Sequence, residues 1–145
     1  MVQTEEPRTV DAARRLGGAF ESLEPVGLVS AYLFGSRASG REHRQSDLDV
    51  GILVSRSVDP ATRFAERVRL AGALPGLVGV RDVDVVILND APPEFARRIV
   101  LDGVRVACVD PEGDHAFRRD VQLRAADLAP FLRRTRAIKL EALAR

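Results

Sequence analysis

Residues 34–50 read FGSRASGREHRQSDLDV. The stretch leaves an apolar run at Gly35-Ser36, crosses ten mostly polar residues (37–46), and enters a second apolar run carrying Asp47 and Asp49. The flanking runs, LVSAYLF at 28–34 and LDVGILV at 48–54, are short and apolar, which predicts two buried strands. Side chains two apart on a strand share a face, so Asp47 and Asp49 project together. Carboxylates that close repel unless a cation neutralises them. Paired oxygen donors suit Mg²⁺, which binds through one or two carboxylates and completes its shell with water and substrate phosphates. Gly35 permits a close backbone approach. Ser36 then offers a hydroxyl and an amide to a phosphate, and Arg37 a fork of donors.

A third carboxylate is needed to complete such a site and to take a proton from an attacking hydroxyl. Asp84 supplies it, within the apolar run VDVVIL at 83–88. Asp82 lies two residues earlier, beside Arg81 at the edge of that run. A carboxylate inside a strand is costly unless paired or metal-bound, so Asp84 is the preferred candidate.

Working outward, helical spacing of Val10, Ala13, Leu16, Phe20 and Leu23 predicts a helix to about Glu24, begun at Thr9 or Thr4 and ended by Pro25. Asp59-Pro60 has the form of an N-cap and N1 proline, opening a helix to about Leu74. Pro92-Pro93 opens another, ended near Gly103, and 104–109 (VRVACV) forms a fourth strand. From about Gly113 the chain reads as helical, with a break or kink expected at Asp127–Pro130 because proline lacks an amide donor. The fold class is α/β (α+β): a small mixed sheet with flanking helices and a C-terminal helical tail. The divisions are an N-terminal helix at 1–27, a core at 28–112 and the tail at 113–145.

The chain has 145 residues and a net charge of +1. That length fits one domain and leaves no room for a separate substrate domain, an expectation that points to an acceptor surface on another polypeptide. Cys108 is the one cysteine, so no intramolecular disulfide forms, and no Cys/His cluster has zinc spacing. The start lacks a signal-peptide layout and no apolar run is long enough to span a bilayer, so the expectation is a cytoplasmic protein. Of 22 basic residues only Lys139 is not arginine, a bias that fits a GC-rich genome. Residues 1–114 carry a net −4 and residues 115–145 a net +5. A basic tail without interleaved aromatics suits an acidic protein surface better than a nucleic-acid groove.

Gly35-Ser36, ten residues, then Asp47-x-Asp49 resembles the signature G-S-x10-D-x-D of the minimal nucleotidyltransferase (MNT) family, in the DNA polymerase β-like superfamily. The resemblance runs from about Ala31 to Asp110 and includes VDVVILNDAP as the third-carboxylate strand. It implies a polymerase-β-type fold, with Gly35 and Ser36 at a triphosphate, Asp47 and Asp49 as metal ligands, and Asp84 as third ligand or base. Small members of the family are antitoxins paired with helical HEPN-domain RNase toxins. The activity implied is Mg²⁺-dependent transfer of AMP from ATP to a toxin tyrosine, in a hetero-oligomer with the toxin or a homo-oligomer. One alternative is neutralisation by occlusion without catalysis, and another is transfer to a small molecule. Pro130 departs from a continuous C-terminal helix.

The remaining candidates have plainer readings. His43, Arg41 and Arg44 lie in the signature loop and read as solvated or phosphate-reaching. His115 reads as a helix-start residue, Cys108 as a small core residue, and Tyr32 as core rather than as a self-modified acceptor. Arg133, Arg134, Arg136 and Lys139 form a solvated helix face or a docking stripe.

Overall fold

A computed structural model describes the backbone of residues 5–35 and 47–144, and side chains from Thr9 to Asp127 within them, together with that of Arg134. The chain order is α1 (Glu5–Leu23), β1 (Leu28–Phe34), β2 (Leu48–Val54), α2 (Pro60–Val78), β3 (Val83–Ile87), a 3-10 turn (Leu88–Asp90), α3 (Pro93–Asp102), β4 (Val104–Cys108) and α4 (Pro111–Ala144). The four strands form one mixed sheet in the order β3-β2-β1-β4. β1 is antiparallel to both β2 and β4, whereas β2 and β3 run parallel.

The strand alternation of side chains separates two cores. Leu33, Leu48, Val50, Ile52, Val83 and Val85 face α1 and α2, meeting Leu16, Phe20, Leu70 and Leu74. Tyr32, Phe34 and Leu53 face the other way, meeting Leu88, Ile99 and Val100 of the 3-10 turn and α3, and Val121 of α4. β2 is buried along its whole length because helices cover both of its faces. Gly51 makes the second face possible: a Cβ there would lie 3.0 Å from Leu88 Cδ2 and 3.2 Å from Ile99 Cγ2.

Local chemistry sets the helix ends. Asp59 caps α2, accepting from the Thr62 amide at 2.7 Å, with Pro60 in the first turn. The helix outlasts the expected end at Leu74 and passes through Pro75 to a left-handed Gly79, whose amide bonds the Pro75 carbonyl at 2.9 Å. Glu66, on the inner face of α2, accepts from the Val26 amide at 3.0 Å and pairs with Arg69, fixing the α1–β1 turn. The Arg69 guanidinium holds the Glu66 carboxyl below its ordinary pKa.

The expected break at Asp127–Pro130 is overturned: α4 runs unbroken from Pro111 to Ala144. Proline removes one amide donor, but its φ near −65° is helical, and the turns on either side sustain the helix. No helix among the described residues is long and apolar enough to cross a membrane.

Candidate active site

The sheet register assembles the carboxylates. Asp49 on β2 pairs across the strands with Asp84 on β3 and with Phe34, the last residue of β1. All three lie on the sheet face that α3 and α4 cover. Neighbouring strands run about 4.8 Å apart, so Asp49 and Asp84 stand side by side. Their surroundings differ: Asp49 is 1% exposed, whereas Asp84 opens to solvent on the edge strand. Gly35 follows the last residue of β1, next to the Phe34–Asp49 pair, with a left-handed φ of +83°. A side chain rarely adopts that conformation, so a glycine is required there.

Asp47 sits one residue before β2 and is exposed. Its Oδ2 accepts from the amides of Arg81, at 2.8 Å, and Asp82, at 3.3 Å. The Asp82 carbonyl in turn accepts from the Asp47 and Leu48 amides at 3.2 and 3.3 Å. Asp47 therefore also clamps the entry of β3 to the start of β2, which keeps Asp84 in register with Asp49. With Asp47 turned onto these amides, no three of His, Cys, Asp or Glu gather into a metal-holding group among the described residues. The donor set still fits a hard divalent cation. Two in-register carboxylates offer the oxygen donors that such an ion takes.

Ser36 and Arg37, with Arg41, His43 and Arg44, lie outside the described residues, as do the side chains of Arg133, Arg136 and Lys139. Arg134 and His115 are exposed, and Cys108 is half-buried on β4. Asp82 is exposed just before β3, level with Asp47, so Asp84 is the carboxylate opposite Asp49.

Tyr32 belongs to a network that sequence reasoning missed. Asp114, in the first turn of α4, is 1% exposed and accepts from Ser30 Oγ and Tyr32 OH, each at 2.6 Å, and from Arg105 at 3.0 Å. Arg118 donates to Tyr32 OH at 3.1 Å. Burial alone pushes the Asp114 carboxyl up, but the three donors and the Arg105 charge outweigh it and hold the group below its ordinary value. Burial and the Asp114 carboxylate push the Tyr32 phenol up. An inward-facing Ser-x-Tyr on β1 was the available signal, but its acid lies more than 80 residues away.

The Polymerase beta nucleotidyltransferase family matches residues 23–112, which hold all of these carboxylates except Asp114. The chain belongs to that family. It is also similar to the protein adenylyltransferase MntA of Shewanella oneidensis, 36% identical over 72 residues, 50% of this chain and 48% of the relative. The chain thus matches about half the length of that curated relative. Among solved structures, a toxin–antitoxin MntA–HepT crystal structure aligns with TM-score 0.60 and 20% identity, covering 92% of this chain and 97% of that one. A tri-AMPylated Shewanella oneidensis HEPN toxin in complex with MNT antitoxin aligns with TM-score 0.57 and 20% identity, covering 91% and 99%. At these identities the two structures share the fold with this chain.

Proposed function

We propose that this chain is an MNT-type antitoxin that transfers AMP from ATP to a tyrosine hydroxyl of a cognate HEPN toxin and thereby silences it. The observation that carries the reading is the register of Asp49 with Asp84, beside the left-handed Gly35 that ends β1. The relative named a protein adenylyltransferase, and the AMPylated HEPN toxin bound to an MNT antitoxin, favour protein as acceptor over a small molecule.

In this reading Gly35, Ser36 and Arg37 hold the triphosphate, and Asp47, Asp49 and Asp84 hold Mg²⁺. When bound, the metal supplies Lewis-acid stabilisation of the charge that develops on the phosphate oxygens. The chain's own contribution is mainly positioning. The tyrosine oxygen attacks the α-phosphorus; an O–P bond forms as the bond to the β-phosphate oxygen breaks. Pyrophosphate leaves with the electron pair. The phenol, with an ordinary pKa of about 10, gives up its proton to Asp84, the solvent-facing member of the carboxylate pair. Asp49 is enclosed and serves as a fixed ligand.

The test is to incubate purified protein with Mg²⁺, α-labelled ATP and the HEPN protein encoded beside it. Label on a toxin tyrosine is the expected result, and label on neither protein contradicts the reading. Neutralisation that survives Asp47→Ala with Asp49→Ala would instead establish occlusion.

A further inference from the structure

A groove of about 370 Å³ opens on the β3 side of the carboxylates, between the first turns of α2 and α3. Pro60, Phe64, Arg67, Val86, Pro92 and Phe95 line it. Val86 follows Asp84 by two residues and shares its face, so the floor lies about 6.6 Å along the strand from the carboxylate. That is roughly the length of a tyrosine side chain. Phe95 joins the groove to the site from above: its ring meets that of Phe34 edge-on at 5.8 Å, and Phe34 is in register with Asp49. Phe64 is 63% and Phe95 37% exposed, a cost in water that an apolar occupant removes.

We propose that this groove seats the acceptor segment of the partner protein, with an apolar or aromatic residue beside the acceptor tyrosine against Phe64 and Phe95 and a neighbouring carboxylate on Arg67. The inference rests on the transfer reading above. Two observations select this occupant. In-line displacement places the attacking oxygen and the leaving pyrophosphate on opposite sides of the α-phosphorus. Across the sheet the order is Gly35 at the end of β1, Asp49 on β2, Asp84 on β3, then the groove. A triphosphate on the Gly35 side sends its pyrophosphate away from β3, so the acceptor enters from the groove side. Charge gives the second selection. Asp90 at the rim is held by Arg63, with bonds of 3.0 and 2.8 Å. Arg67 spends only Nε, on the Val85 carbonyl at 3.0 Å, and among the described residues its terminal nitrogens have no partner. The groove therefore presents apolar walls and one available guanidinium, which complements an acidic, aromatic-containing segment better than a polyphosphate.

The test compares the wild-type chain with Phe64→Ser/Arg67→Ala and with Phe64→Leu, using the HEPN protein encoded beside it as probe. Phe64 and Arg67 are exposed, and the one bond given up, from Arg67 Nε to the Val85 carbonyl, should lower the melting temperature only slightly. The double variant should raise KM for the toxin about tenfold, the loss of one good interface anchor, while KM for ATP stays put and Phe64→Leu recovers most of the loss. A rise in KM for ATP instead would make the groove a nucleobase seat and overturn the proposal, as would no change in either constant. If the wild-type chain transfers no AMP, the transfer reading fails by itself. The Kd of the nucleotide-free complex then decides the groove: about tenfold weaker in the double variant upholds it, and an unchanged value overturns it.

Discussion

Two aspartates, each 1% exposed, lie on the same face of one sheet and have opposite neighbourhoods. Asp114 is met by Ser30, Tyr32 and the Arg105 cation, all from its own chain. Asp49 has another carboxylate, Asp84, as its registered neighbour on β3. A buried charge answered by internal donors fastens structure; here it fixes the start of α4 to β1. Carboxylates set side by side offer paired oxygen donors to an external cation. The first arrangement should matter to stability and the second to chemistry.

The largest effect that can break this contrast is on transfer. Asp49→Asn should lower AMP transfer by at least about 100-fold, since even outer-shell partners of a metal site cost 10–100-fold when removed. Its melting temperature should stay close to wild type, because Asn keeps the shape of the side chain. A large loss of stability would mean that Asp49 is structural like Asp114.

Asp114→Ala should do the reverse. It strands the Ser30 and Tyr32 hydroxyls, and urea unfolding should report a loss of about 2–4 kcal/mol. The folded Asp114 pKa lies below its unfolded value, so its contribution is present above about pH 4 and fades as pH falls through the folded pKa. The variant should lose less stability than wild type between neutral pH and that acid limb. Tyr32→Phe, which removes one donor, should cost about 1 kcal/mol and leave the transfer rate unchanged. The smallest signal is spectroscopic. If Asp47 rotates to meet Mg²⁺, the amide resonances of Arg81 and Asp82, which it now occupies, should shift on titration. Unmoved resonances would mean that Asp47 remains a clamp.

The legible parts of the fold were those determined by neighbours in sequence. β1 and β2 fall at 28–34 and 48–54 as the apolar runs predict, because Gly35 and the polar stretch before Asp47 bound them. Asp84 was preferred over Asp82 on burial cost, and it proves to be the residue opposite Asp49, although its own side chain is exposed. What did not show was set by tertiary context. The second helix is expected to end near Leu74 and the tail to break or kink near Pro130, yet the helices run on through Pro75 and Pro130. Asp114 does not stand out in the sequence because its partners on β1 are brought near only by the pairing of β1 with β4. The groove beside Asp84 was invisible for the same reason: α2 and α3 are far apart in sequence and meet only across the edge of β3.

The most direct measurement is the intact mass of the HEPN toxin after co-expression with this chain. A gain of one or more AMP units is expected, localised to tyrosine by fragmentation and absent when Asp49→Asn replaces the wild type. An unmodified toxin that is nonetheless silenced by both forms would contradict it.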